Sequence, residues 1–521
     1  MQKGKVLYGV LFGILMVLLF VPIIQEYTGV FPVRSLAGVF VKMEKPQLTL
    51  DNYVSGKFQG QTERYVSENF GLREPVIRLY NQYVWDFYRK TYVTTIIPGK
   101  EKWLYGKEFI DDLEGFRWKE FANSPSELEN KFVKEADRLR KVQEILAEYD
   151  KHLFVIMEPG KARTYPEYLP DAVCRRVAAK EPNELISAAD LYPAIFDSVG
   201  VNYVNIDRWF QRDKEKLGFS LYPQTGTHWS NLAALHATDS IIRYMEQIGN
   251  RDIANLKISP IAYDTTMNPD ADFENLLNVN RVVRDVPNQY AHFELVSDTN
   301  TVKPAWIHIG DSYYWNISYH IPLDEIFSRH PYWYYNSTIY YDAKYHSTAE
   351  TDILAELVNA DFVTLGYCTS QIYAMSSYFA AKALVNLCYD KKDVKKVVMD
   401  IVESMNNIPE WKAALQQKAD SQGKPVEEVM MADAYYVVYL DPEKYFPELN
   451  DPHPSSRNSM LRMCNPDDSV GRILRNMYGK AEWMESVSNQ AEEKGVSLEQ
   501  MVWDNAEYTY RMKITPKGFC H

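Results

Sequence analysis

The fold is decided by one uninterrupted apolar run, Leu153-Phe154-Val155-Ile156-Met157. An apolar run without alternation is typical of a strand that is buried on both faces of a sheet. Helical patterns flank this strand, the clearest at residues 124–149 and 232–245. This alternation predicts an α/β domain in which helices cover both faces of a mostly parallel sheet. The other strands of that sheet are predicted at residues 201–206, 305–309 and 362–365.

A serine follows one of these strands directly, in Gly310-Asp311-Ser312. Ligands of parallel sheets gather at the carboxyl ends of the strands. A serine at a strand-to-helix turn presents its hydroxyl there, and nearby backbone N–H groups can stabilise an oxyanion. Ser312 is therefore a candidate nucleophile, with Asp311 as a supporting residue. The tripeptide is also a common turn with no catalytic role.

A histidine precedes another predicted helix, in Thr227-His228-Trp229-Ser230. Ser230 is a suitable N-cap residue for that helix. The positive potential of a helix N-terminus disfavours imidazolium, so a neutral ring suited to general-base work is favoured. His228 is the candidate base. The alternative is a histidine whose ring is satisfied by loop hydrogen bonds.

The first strand also ends in polar residues, beginning with Glu158-Pro159-Gly160-Lys161-Ala162-Arg163. This segment lies at the same predicted sheet edge as Ser312. Lys161 or Arg163 could orient an anionic or carbonyl group there. The alternative is a basic loop in solvent.

Together these motifs resemble the alginate O-acetyltransferase group of SGNH-hydrolase-like proteins. The resemblance covers roughly residues 50–390 and implies Ser312 as nucleophile and His228 as base, with the histidine first in the chain. It also implies acetylation of a polysaccharide outside the cytoplasm, with a membrane-bound O-acyltransferase supplying the acyl group, and no metal or organic cofactor. The matching segments are residues 159–170, 227–230 and 310–313, with weaker matches at 70–73 and 99–104.

One position departs from the family pattern, which has an aspartate two residues before the histidine. Here that residue is Gly226. Another acid could reach His228 in space, a backbone carbonyl could hold the ring, or the site could be inactive. The acids to check are Asp264, Asp272 and Glu158.

The N-terminus carries a membrane signal. Residues 6–24 are uncharged and almost wholly apolar, and a helix of this length spans roughly 28 Å, close to the hydrocarbon thickness of a bilayer. Lys3 and Lys5 precede the run, which predicts a cytoplasmic amino end and an exported chain, periplasmic or at the cell surface. A cleaved signal peptide is the alternative.

Charge and cysteine content exclude other classes. The net charge of −13 argues against a nucleic-acid partner. The five cysteines are widely spaced and form no CxxC pair, so no zinc site of the usual spacing is expected.

The last 130 residues, roughly, contain an internal repeat, in which Trp483 follows Trp411 by 72 positions. Each copy is predicted to form two short helices of a packing module. The predicted domains are an anchor (1–26), a juxtamembrane segment (27–120), an SGNH-like α/β domain (121–390) and a helical module (391–521). The leading function is O-acyl transfer to a glycan. The alternatives are a carbohydrate esterase with the same Ser–His pair and a non-catalytic glycan-binding or assembly protein.

Overall fold

The computed structural model describes residues 2–38, 43–264, 270–375, 378–454, 456, 458, 469–496 and 498–514. Its strands are β1 Ile96–Pro98, β2 Leu104–Gly106, β3 His152–Glu158, β4 Tyr203–Asn205, β5 Asn255–Ile258, β6 Ala262–Asp264, β7 Asn288–Tyr290, β8 Phe293–Val296, β9 Trp306–Gly310, β10 Tyr332–Tyr334, β11 Thr338–Tyr341, β12 Lys344–Ser347 and β13 Phe362–Cys368.

The helices cover both termini and the connections between strands. They are α1 Gln2–Thr28, α2 Leu50–Val54, α3 Lys57–Glu68, α4 Arg73–Tyr88, α5 Lys107–Leu113, α6 Pro125–Ala147, α7 Lys161–Thr164, α8 Asp171–Ala178, α9 Ala188–Val199, α10 Ile206–Leu217, α11 Asn231–Gly249, α12 Asp272–Leu276, α13 Tyr314–Ser318, α14 Leu323–Ile326, α15 Ile353–Val358, α16 Phe379–Cys388, α17 Lys391–Asn407, α18 Pro409–Gln422, α19 Val426–Leu440, α20 Pro442–Tyr445, α21 Ser469–Tyr478, α22 Ala481–Lys494 and α23 Leu498–Ile514.

The central sheet has seven strands in the order β12-β11-β10-β9-β13-β3-β4. From β10 to β4 every neighbouring pair is parallel, whereas β11 and β12 extend one edge as antiparallel strands. The predicted α/β fold is confirmed. The two antiparallel strands were not predicted, because β12 is largely exposed and β11 has one buried residue, so neither carries a buried apolar run.

Both faces of the sheet are covered, as the strand pattern predicts. In β3, Leu153, Val155 and Met157 face a core that includes α6 and α9. Phe154 and Ile156 face the opposite core, which includes α10 and α11. The carboxyl ends of β3, β9 and β13 therefore meet at one edge, where the candidate motifs lie.

One helix among the described residues is long and apolar enough to cross a membrane. It covers Leu7–Thr28, and its apolar 18-residue window has a mean hydropathy of 2.7 with no residue buried in the protein. An added Cβ at Gly71 would lie 2.4 Å from the backbone nitrogen of Glu26, so the loop before α4 packs closely against the end of this helix.

The repeat is larger than predicted. Among the described residues the two predicted helices of each copy are present, α18 and α19 in the first and α22 and α23 in the second, and a further helix precedes each pair, α17 and α21 respectively. The extra helix was missed because the sequence match begins only at the second helix of each copy. The first copy shares its core with the α/β domain, through residues such as Val398 and Ala434. The second copy has a small core of its own, which includes Met477 and Ala506.

Candidate active site

The turn of residues 310–313, called the serine turn below, is held in place by hydrogen bonds to the buried carboxylate of Asp311. One of its oxygens accepts the backbone N–H of Tyr313 at 3.0 Å, and the other accepts the N–H of Cys368 at 2.8 Å. The turn between β9 and α13 is thus fastened to the end of β13. Ser312 lies at the carboxyl edge of the sheet, at the predicted place. The helix that follows is only five residues long.

The loop of residues 227–230, which contains His228 and is called the histidine loop below, contacts the turn that contains Ser312. His228 Nε2 lies 2.8 Å from Ser312 Oγ. Ser230 caps α11, as predicted, by accepting the N–H of Ala233 at 3.2 Å. The Tyr313 hydroxyl donates to the Thr227 carbonyl at 3.1 Å, so the two segments are joined beside the Ser–His pair.

An acid that is distant in the sequence takes the place left open at Gly226. Asp272 Oδ2 lies 3.2 Å from His228 Nδ1. Its other oxygen accepts the backbone N–H groups of Thr227 and Phe273, both at 2.8 Å. Asp272 is the first residue of α12, and these two bonds fix its carboxylate toward the ring.

The other acids named from the sequence are placed differently. Glu158 lies buried at the end of β3, and burial is the main reason that its pKa is raised well above the ordinary value. The charge of Asp311 and a hydrogen bond with it raise that pKa further. Asp264 ends β6, and its side chain lies outside the described residues.

The charges around the ring favour imidazolium. Burial, the largest single influence, lowers the pKa of His228. The hydrogen bond and the charge of Asp272 outweigh it, with help from Asp311 and Asp270, and the pKa ends above its ordinary value. A base that gains a proton during the reaction is stabilised by this arrangement.

A second aspartate near the loop was not singled out from the sequence. Asp270 is buried, which raises its pKa to about 7. Its carboxylate accepts the N–H of Asn231 at 3.3 Å and lies 3.4 Å from the amide nitrogen of Asn316. Asp270 thus connects the start of α11 with α13. No local motif marks it.

Lys161 stabilises the segment that leads into the histidine loop. The side chain is fully buried, and Nζ donates to the carbonyls of Pro223, Gln224 and Gly226 at 2.8, 3.1 and 2.7 Å. An ammonium group has three hydrogens, so these carbonyls use all of them. Lys161 therefore shapes the segment that leads to His228, and it is not directed at a ligand.

Arg163 is likewise occupied within the protein. Its guanidinium binds the carboxylate of Asp190 with two nitrogens and that of Asp207 with a third. The alternative of a basic loop in solvent does not hold for these two cations, because Lys161 is buried and the Arg163 side chain is only 13% exposed. The part of the chain that the structure describes contains no group of three His, Cys, Asp or Glu side chains placed to hold a metal.

A serine, a histidine and an aspartate are thus in contact at the carboxyl edge of the parallel strands. The fold is that of an SGNH-hydrolase-like domain. Residues 96–304 match the family described as "SGNH hydrolase-like domain, acetyltransferase AlgX". The chain thus resembles the alginate O-acetyltransferase family. The matched segment contains His228 and Asp272 and ends before Ser312.

Solved structures are similar to parts of the chain. The O-acetyltransferase domain of Pseudomonas putida AlgJ shares 16% identity, with 56% of this chain and 99% of that chain covered and a TM-score of 0.35. Pseudomonas aeruginosa AlgX shares 14%, with 56% and 66% covered and a TM-score of 0.36. Bacillus cereus PatB1 with a sulfonyl adduct shares 12%, with 48% and 92% covered and a TM-score of 0.31. No curated protein sequence matches the chain.

Proposed function

We propose that this protein is a membrane-anchored, extracytoplasmic O-acyltransferase that acts on a polysaccharide, with acetyl as the transferred group. The observation that carries the proposal is the continuous contact from Ser312 Oγ through His228 to Asp272, at 2.8 and 3.2 Å. The match to the acetyltransferase family over residues 96–304 supports transfer of an acetyl group.

The reaction has two halves. In the first, Ser312 Oγ attacks the acyl carbon of the donor while His228 takes its proton, and the proton then passes to the donor's leaving group. In the second, a sugar hydroxyl attacks the acyl-serine and gives its proton to His228. The sugar ester leaves, and Ser312 regains its hydrogen. Backbone N–H groups near the serine turn stabilise the oxyanion of each half.

The source of the acyl group follows from the proposed location of the domain outside the cytoplasm. Acetyl-CoA is not expected outside the cytoplasm, so a membrane-bound O-acyltransferase would supply the acyl group. Helix α1 would anchor the protein beside such a partner, and Lys3 and Lys5 favour a cytoplasmic amino end. Protease digestion of intact spheroplasts tests this orientation, since an exported domain is degraded without lysis.

Covalent labelling tests the site. A chromogenic acyl ester or a fluorophosphonate should label Ser312 in the wild type, and the label should be absent in Ser312→Ala. Labelling that persists in Ser312→Ala would remove the proposed nucleophile. A folded wild type that takes no label from either probe would contradict an acyl-enzyme mechanism.

The esterase alternative uses the same residues. Water competes with the acceptor for the acyl-enzyme, so the two activities differ in the product formed. Acetyl release and acetyl transfer are therefore measured in one mixture with added glycan. Release without transfer would identify an esterase. A scaffold would be indicated if Ser312→Ala preserved cellular function while removal of residues 469–521 abolished it.

A further inference from the structure

A groove of about 710 Å³ lies between the α/β domain and the first helical copy. The α/β domain contributes Asn336, residues 348–353 and Tyr378, while α17 and α19 form the opposite wall. This volume is within the roughly 300–1,000 Å³ typical of small-ligand sites. The groove thus depends on the helical module, which the proposed chemistry does not use.

One end of the groove, at Asn336, lies just after the carboxyl end of β10. Strand β10 lies beside β9, and the N–H of Tyr335 donates to the carbonyl of Gly310 at 2.8 Å. Gly310 is two residues before Ser312, and Asn336 directly follows Tyr335. Asn336 therefore follows the strand next to the one that precedes Ser312, and both residues lie at the carboxyl edge of the sheet.

Four tyrosines line the groove. Tyr378 of the α/β domain and Tyr436 of α19 approach each other, with their hydroxyls 2.9 Å apart and their ring centroids 5.2 Å apart. Their exposed fractions are 41% and 48%. Tyr435 and Tyr439 line the same wall. Such rings offer a flat apolar face together with a polar hydroxyl.

Charged side chains of both signs complete the lining. They are Lys382, Lys391, Lys395, Glu350 and Asp352. Lys391 Nζ binds Asp352 Oδ2 at 2.5 Å, and Lys382 Nζ donates to the carbonyl of Thr348 at 3.0 Å. A purely apolar ligand would take these charged groups out of water without offering them further hydrogen bonds. A ligand with many hydroxyls and apolar C–H faces would satisfy both the charged groups and the rings.

Comparison of the two repeat copies shows which groove residues differ between them although both copies form the same three helices. At the repeat offset of 72, Glu507 and Arg511 stand where the first copy has Tyr435 and Tyr439. Tyr436 corresponds to Tyr508, which is 63% exposed. Tyr508 is therefore a matched control for Tyr436, in the same repeat position but away from the groove.

We propose that this groove binds a segment of the carbohydrate chain whose hydroxyl is acylated at Ser312. The inference rests on the proposed function for the identity of the ligand as the acceptor. The rings of Tyr378 and Tyr436 stack on sugar faces, and the charged lining hydrogen-bonds their hydroxyls. The helical module is thereby part of the acceptor site.

The test uses the full chain in detergent micelles on a printed array of bacterial polysaccharides and defined oligosaccharides. The wild type should retain at least one glycan. Tyr436→Ala should weaken that binding about tenfold, as the loss of an aromatic contact predicts, whereas Tyr508→Ala and Ser312→Ala should bind like the wild type. With the retained glycan as acceptor, Tyr436→Ala should raise the KM for transfer about tenfold and leave kcat unchanged.

The inference is overturned if the wild type retains no glycan, or if Tyr436→Ala and Tyr508→Ala weaken binding equally. Thermal unfolding of each variant separates loss of binding from loss of fold. If glycan binding is lost only in Tyr436→Ala but Ser312 takes no acyl label, the proposed function fails and the groove remains a glycan site. If Ser312 is labelled but the array retains no protein on any glycan, the groove inference alone fails.

Discussion

Asp272 offers the sharpest test of the site, because no local motif identifies it as the acid that holds His228. In Asp272→Asn the size of the side chain is kept, but the negative charge is lost. The asparagine amide can also present N–H in place of an acceptor to the Nδ1 position, which favours the wrong tautomer of the ring. We expect acyl-serine formation to slow strongly while the protein stays folded.

The expected size follows from the contact. Two charges about 4 Å apart attract each other by about 4 kcal/mol at an effective dielectric constant of 20. His228 Nδ1 and Asp272 Oδ2 are 3.2 Å apart, and their side chains are 20% and 29% exposed, so solvent screening is limited. Losing about 4 kcal/mol of stabilisation in the transition state lowers the rate about 10³-fold. The tautomer effect acts in the same direction, toward about 10⁴-fold.

The pH profile gives an independent check. Asp272 helps to raise the pKa of His228, so its removal lowers that pKa. The neutral base then persists to lower pH, and the acid limb of kcat/KM for ester cleavage should move to lower pH in Asp272→Asn. Asp264→Asn is the comparison, since Asp264 was the other aspartate named from the sequence. A loss below tenfold in Asp272→Asn, or a larger loss in Asp264→Asn, would refute this assignment.

Three further outcomes concern the support of the site. Gly226→Asp should lower the Tm and should not raise activity, because a Cβ there would lie 2.6 Å from Cγ of Pro223; a gain in kcat/KM would contradict this packing. Lys161→Met should lower the free energy of unfolding in urea by roughly 2–5 kcal/mol, because three buried carbonyls lose their donor; an unchanged urea midpoint would refute this role. Glu158→Gln should raise the Tm near neutral pH, because burial holds the pKa of Glu158 well above its ordinary value and disfavours the native state once the unfolded carboxyl ionises. That advantage should vanish below about pH 4, where the unfolded carboxyl is protonated too; a pH-independent difference in Tm would contradict it.

The buried centre of the sheet was predictable because burial on both faces demands apolar runs. The run at residues 153–157 became β3, and that at 305–309 became β9, with ends that shift by one residue. The exposed edge was not predictable in this way, since Lys344, Tyr345 and His346 of β12 contact solvent and show no such run.

The same distinction between local and tertiary signals applies to the residues of the candidate site. Ser312 and His228 each lie where a local rule places them, one after a buried strand and the other before a capped helix. Asp272 follows no local rule, because it comes from a separate segment that only the tertiary fold brings to the ring. Gly226 offers no carboxylate to the loop that contains His228. Asp272 approaches that loop instead, and it also binds the backbone N–H of Thr227. The carboxylate of Asp272 therefore contacts both the His228 ring and the backbone of the loop that carries it.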